Sequence, residues 1–362
     1  MEVVRAMATP PEPLDEAKVK AFTERMISHI NGASVSLMIE IGRRVGLFDT
    51  MAAVPAATSA VVAEQAGLTE RYVREWLGAM VCGGVVEFEA ATGTYRLPPE
   101  HAALLTGQTT RNLTTTTALF PLLTRVLPDV VEAFRQGGGV PYSAFQPEFT
   151  GLMDVRSRPR YDENLFGKYL AAPDDLIKRL EQGIRVADIG CGSGYCIGLM
   201  AERFPRSTFV GYDLSEPAIA QARSQASALG LQNAHFEIED VRVFPVEPPF
   251  DLITAFDAIH DQVDPAAVLS RVRQALSPGG MFLMLDVHAS SNLEDNLSLP
   301  HSPLLYTVST MHCMTVSLAH GGVGLGTAWG SQVADRMLRA AGFSSIRLFE
   351  RVDPLNSLYV AT

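Results

Sequence analysis

Between residues 21 and 47, apolar side chains recur at Phe22, Met26, Ile27, Ile30, Val35, Leu37, Met38, Ile41 and Val45. Most of these steps are three or four residues long, so the pattern predicts one or two helices ending at Gly46. From Thr58 a second helical pattern runs to a turn at Gly67, and a third opens at Thr69 and is closed by Gly83 and Gly84. The alternating runs "VVEFE" and "TYRL", on either side of Thr92 and Gly93, then predict two short paired strands. Helix, turn, helix and hairpin in that order make a winged helix-turn-helix. Residues 105–183 hold further helix-compatible stretches, among them "PLLTRVLPDVVEAFRQ", stopped by Gly137, Gly138 and Gly139, and "DENLFGKYLAAPDDLIKRLEQ".

Beyond residue 184 the period changes. Strand patterns "IRVADIG", "STFVGYD", "AHFEIED", "FDLITAFD" and "MFLMLDV" alternate with helical patterns over 195–204, 216–229 and 265–276. Strands this rich in Val, Ile, Leu and Phe, separated by helices, imply a parallel sheet covered on both faces. The expected fold class is therefore α/β, a doubly wound sheet carried behind a mostly helical winged-helix domain. Its expected parts are a loose tail over 1–20, a winged-helix domain over 21–108, a helical connector over 109–183, and the doubly wound domain over 184–362.

Composition narrows the partners. The 362 residues carry a formal net charge of -11, which opposes binding to phosphate backbones. Within the winged pattern, Arg71, Arg74 and Arg96 face Glu64, Glu70, Glu75, Glu87, Glu89 and Glu100, so a basic footprint for DNA is missing. The second helix of the motif spends Tyr72, Val73, Trp76, Leu77 and Met80 on an apolar face, as a packing or subunit contact would. Cys82, Cys191, Cys196 and Cys313 form no CxxC pair and read as reduced thiols, with no metal site implied. No run approaches the ~20 apolar residues of a membrane span, and the acidic start lacks a secretory pattern, so a cytoplasmic protein is expected.

The chemistry gathers around "VADIGCGSG". A dinucleotide fingerprint would need its third glycine at position 195, where Tyr195 stands. The glycines instead fall at Gly190, Gly192 and Gly194, behind Asp188. A carboxylate at that point repels phosphate but suits a ligand with an ammonium group, whose own carboxylate can take backbone N–H groups at the turn and helix start. S-adenosylmethionine has both. Asp213, with Leu214 beside it, ends the second strand pattern and is placed to bind ribose hydroxyls. Asp240 and Val241 follow the third and can address adenine by carboxylate and backbone N–H. Asp257 follows the fourth. Any one of these acids alone reads as a helix cap; together with the glycine spacing they read as a cofactor edge.

With those residues in place, "VADIGCGSG", "FVGYDLS", "EIEDV" and "FDLITAFDAIHD" resemble class I S-adenosylmethionine-dependent methyltransferases across the whole carboxyl-terminal half. The resemblance implies a seven-stranded, Rossmann-like sheet with an antiparallel last strand, for which "FSSIRLFERVDPLNSLYVAT" supplies two strands around a turn. "GLFDTM", "TYRL" and "FDAIHD" are similar to small-molecule O-methyltransferases, whose winged-helix domain serves homodimerisation and closes over the substrate. A further likeness, carried by "RYVREWLGAM", "MHCMTVSLA" and "GLGTAWG", is to a bacterial and eukaryotic group within them. Plant-type relatives have "HDW" after the fourth strand with the histidine as base; here "AIHDQ" keeps His260 and Asp261 and lacks the tryptophan.

Methyl transfer from a sulfonium needs mainly alignment of the acceptor, and a hydroxyl acceptor also needs a base. His260 is the candidate base, with Asp261 as a possible orienting group for its ring. His312, with Tyr306 and Trp329, is a candidate for the substrate wall, and His312 is also placed as a substitute or helper for His260. The expected function is methylation of a small, largely apolar molecule at oxygen, nitrogen or sulfur. The alternative is a winged-helix transcriptional regulator that senses the cofactor.

Overall fold

A computed structural model describes residues 14–362. They divide into two units, one ending at Thr117 and the other beginning at Ala118.

In the first unit the expected one or two helices are a single continuous helix, Glu16–Arg44. It begins inside the segment expected to be a tail, because the Asp15 carboxylate accepts from the N–H groups of Ala17 and Lys18 at 3.0 and 3.2 Å and caps it. Residues 1–13 of that expected tail lie outside the described residues. The winged motif follows as helices Ser59–Ala66 and Glu70–Cys82 and strands β1 (Glu87–Glu89) and β2 (Thr94–Arg96), paired antiparallel with Glu87 opposite Arg96. Its core holds Leu47, Phe48, Val62, Trp76, Leu77 and Met80. Trp76 donates its indole N–H to the Met38 carbonyl at 2.7 Å, fixing the long helix against the motif.

The second unit carries β3 (Arg185–Ile189), β4 (Thr208–Asp213), β5 (Ala234–Ile238), β6 (Phe250–Phe256), β7 (Leu276–Val287), β8 (Ile346–Phe349) and β9 (Asn356–Ala361). They form one seven-stranded sheet in the order β5-β4-β3-β6-β7-β9-β8. Pairings among β3 to β7 are parallel, and β9 runs antiparallel to both β7 and β8. Successive residues feed opposite cores, as the two-residue period of a strand requires. Val186, Leu252 and Leu283 pack with Ile197, Met200 and Phe204 on one face, while Ala187, Ile253 and Phe282 pack with Val268, Leu269 and Leu338 on the other. The segment expected as a connector holds helix Glu148–Asn164, which lies in this unit. Among the described residues no helix is long and apolar enough to cross a membrane.

A methyl group on Gly42 would stand 2.5 Å from the Trp76 ring and 2.9 Å from that of Phe48. Gly42→Ala is accordingly expected to destabilise the winged unit by about 1–3 kcal/mol, read as a lowered midpoint in thermal or urea unfolding.

Candidate active site

The chain reverses at the carboxyl end of β3 to enter helix Tyr195–Arg203, and that reversal sets the geometry of the site. Gly190, Gly192 and Gly194 all take left-handed φ, at 70°, 55° and 74°. At Gly194 an added Cβ would lie 2.4 Å from the Phe236 ring and 2.8 Å from Ala222, so the helix can approach the sheet only without a side chain there. At Gly192 an added Cβ would meet nothing within 4 Å. The middle of the turn thus opens onto free space while its ends are closely packed. The turn is stitched to β4 by Gly190 and Cys191, which donate to the Tyr212 carbonyl at 2.8 and 3.1 Å.

Asp188 lies within β3 and is 3% exposed. Burial pushes its carboxyl up to about 7; the Thr254 hydroxyl, donating at 2.6 Å, opposes that rise and the charge of Asp213 adds to it. A buried carboxylate facing no cation among its own neighbours suits a ligand that brings one. Asp213 accepts from the N–H groups of Gly192 and Ser215 at 2.9 and 2.8 Å, which fixes its carboxylate at the end of β4. Burial raises its pKa and those backbone donors pull against the rise. Leu214 next to it exposes its side chain. An open glycine cradle, a buried acid and a second acid one strand over fit S-adenosylmethionine, whose ammonium side Asp188 would hold and whose ribose Asp213 would hold.

The other two acids are already engaged. Asp240 accepts from the backbone N–H of Arg242 at 2.9 Å and from its guanidinium Nε at 2.9 and 3.1 Å, and this pairing holds its carboxyl below the usual range. Any contact with adenine is shared with Arg242, while Val241 is buried beside it. Asp257, read from sequence as part of the cofactor edge, is turned elsewhere. It takes a left-handed φ of 55°, accepts from the Arg160 guanidinium on one oxygen and from the Asn356 amide on the other at 2.7 Å. Its carboxylate ties helix Glu148–Asn164 to β9.

That helix is held to the glycine turn as well. Asp154 accepts from the Ser193 hydroxyl and pairs with Arg158 at 2.8 Å. The Arg158 guanidinium lies 4.2 Å from the centre of the Tyr195 ring, and the Tyr195 hydroxyl donates to Asp162 at 2.7 Å. Apart from Asp154–Arg158, an i,i+4 pair on one helix, these contacts join residues more than thirty positions apart and leave no mark in the local spacing of the sequence.

His260 follows β6 and is buried. Its Nδ1 is 2.8 Å from Oδ1 of Asp286, a residue of β7 that also accepts from the Val287 N–H at 2.7 Å. Asp286, not the adjacent Asp261, therefore orients the ring. Burial alone would lower the pKa of His260, but the Asp286 carboxylate and the neighbouring Cys313 hold it well above the usual histidine range. Asp261 is itself pushed up to about 6, mainly by burial. The signal for Asp286 was present in the sequence: it stands at the end of a fifth strand pattern, "MFLMLDV", as the other acids end theirs.

The remaining candidates separate. His312 is buried in a π-helical turn, Ser309–Cys313, and burial with the charge of His260 brings its pKa down to about 3. It is too weak a base to stand in for His260 near neutrality. Trp329 packs in the apolar core with Leu338 and Met284. Tyr306 is partly exposed, and its hydroxyl accepts from the buried Asn296 amide at 3.0 Å.

Because Asp188 must be ionised to hold an ammonium group, affinity for S-adenosylmethionine is expected to fall as pH drops below about 7. Asp188→Asn should weaken binding by about 10- to 100-fold, on the order of 1.4–2.8 kcal/mol, and flatten that pH dependence, both read by titration calorimetry.

Both units have counterparts among known proteins. Residues 33–107 match the family model described as the Rv2258c-like winged HTH domain, and residues 180–342 match a methyltransferase domain model. A trans-aconitate 2-methyltransferase from Variovorax paradoxus is 34% identical over 131 residues, 36% of this chain and 46% of that protein. The chain spans about half the length of the first such curated relatives. Among solved structures, human N-acetylserotonin methyltransferase in complex with S-adenosylmethionine superposes with a TM-score of 0.71 at 18% identity, covering 98% of this chain and 99% of that one. The mitomycin 7-O-methyltransferase structure gives 0.71 at 18%, covering 96% and 99%. At that identity the likeness establishes the fold, which is shared over nearly the whole chain. The chain thus carries a match to a winged helix-turn-helix domain model followed by a match to a methyltransferase domain model.

Proposed function

We infer that this protein methylates a small, largely apolar molecule, and that the accepting atom is a hydroxyl oxygen delivered to His260. The observation that carries the reading is the buried His260–Asp286 pair at the carboxyl edge of the sheet, 2.8 Å apart. When bound, the cofactor supplies an electrophilic methyl group on a sulfonium. The chain's part is to align the acceptor and take its proton. With Nδ1–H donated to Asp286, the tautomer is fixed and Nε2 is the atom left to accept that proton. A thiol or amine acceptor would have less need of such a base.

The regulator reading is weakened by the winged motif's own charges. Arg71 pairs with Glu75, Arg74 with Glu70 at 3.4 Å, and Arg96 with Glu87 at 2.5 Å. All of the basic side chains between residues 58 and 100 are thereby matched by glutamates, and phosphate would have to displace them. A homodimer is supported instead by helix Glu16–Arg44, which exposes Phe22 (58%), Met26, Ile27, Ile30 (60%), Leu37 and Ile41. Repeated apolar exposure of that kind along a helix is an association surface. Four free cysteines fit a reducing cytoplasm.

Turnover on a phenolic acceptor with labelled cofactor is expected to rise with pH along a limb lying above 6.5 in the wild type, since His260 must shed its proton to act. Asp286→Asn should move that limb to lower pH, because burial then acts unopposed, and cut the plateau rate by about 10²-fold or more. A His260→Ala variant with normal turnover would end the assignment. For assembly, light scattering should give a dimer for the wild type and a monomer for Phe22→Asp/Ile30→Asp.

A further inference from the structure

His312 is 1% exposed, yet neither of its ring nitrogens has a hydrogen-bond partner. Its ring stacks on Phe149 with centroids 3.7 Å apart and planes 15° from parallel. Phe145 and Tyr142 meet it edge-on at 4.6 and 5.8 Å. A phenylalanine would make the same apolar contacts without leaving a donor and an acceptor stripped of water. Packing by itself therefore gives no reason for a histidine here.

The surroundings supply one. Cys313, the next residue in the same π-helical turn, lies against His260. Ser309, the first residue of that turn, accepts from the Thr327 N–H at 3.2 Å, and the adjoining Gly326 N–H donates to the His260 carbonyl at 3.1 Å. Two further buried polar atoms on these elements, the Thr327 hydroxyl and the second Asp286 oxygen, also have no partner. Orphaned polar atoms on converging elements beside a base mark a place where the partners arrive with a ligand.

We propose that His312 is a specificity residue: it hydrogen-bonds a second polar group on a planar aromatic acceptor whose first hydroxyl is presented to His260. The proposal rests on the reading of His260 as the acceptor end of the site. A neutral imidazole offers one N–H donor and one nitrogen acceptor, so it matches an uncharged hydroxyl or carbonyl and has no charge to offer a carboxylate. A site that keeps a buried polar group for such a bond discriminates strongly against analogues that lack the group.

The test is calorimetry on the full chain, first with S-adenosylhomocysteine alone and then, at saturation, with phenol, catechol, resorcinol and hydroquinone. At least one diol is expected to bind the wild type tenfold or more tightly than phenol. His312→Phe should reduce that diol to the affinity of phenol while leaving phenol within twofold, and should melt no lower than the wild type. His312→Gln, which keeps a donor and an acceptor, should recover part of the preference. Failure of S-adenosylhomocysteine to bind would overturn the methyltransferase reading and this proposal with it. Normal binding of that product with no diol preference, with no aromatic binding at all, or with a preference that survives in His312→Phe would overturn the proposal and leave the function intact.

Discussion

Burial of acid groups at the carboxyl edge of a parallel sheet is the constraint on which the rest of this structure turns. Desolvating Asp188 opposes its charge, and the Thr254 hydroxyl offsets only part of that cost. The glycine turn beside it leaves open space over Gly192. Asp213 shows the same logic in milder form, since the backbone donors of Gly192 and Ser215 hold its carboxylate in place. The cradle and its acids are thus one device: the turn that exposes free space over Gly192 is the turn whose N–H anchors Asp213.

A second consequence is the divergence of two buried histidines. His260 faces Asp286 and is drawn well above the ordinary histidine range, whereas His312 is packed among aromatic rings and is pushed down to about 3. The positive charge favoured on one adds to the reasons the other stays neutral. The same residue type is thus driven in opposite directions by its surroundings.

Helix Glu148–Asn164 links the two ends of the site. Asp154 and Asp162 reach the glycine turn and its helix, through Ser193 and Tyr195, while Arg160 spans Asp257 and Asn356. Asp257 accepts a left-handed backbone to take part. An acid that looks, by position, like one more cofactor ligand ties helix Glu148–Asn164 to β9.

Taken by itself, the sequence determined what depends on near neighbours. The two-residue and helical periods identified the winged motif and the doubly wound sheet, and the spacing of Gly190, Gly192 and Gly194 behind Asp188 located the left-handed turn after β3, because these features are written within a few residues of one another. What the tertiary structure alone decided is which charges meet. Asp286 rather than Asp261 orients His260, Arg160 claims Asp257, Arg242 covers Asp240, and Trp329 belongs to the core. His260 with Asp286 and Arg160 with Asp257 join residues carried by different elements of the sheet and its cover. Such pairings are set by strand order and helix placement, and local periodicity carries no record of them.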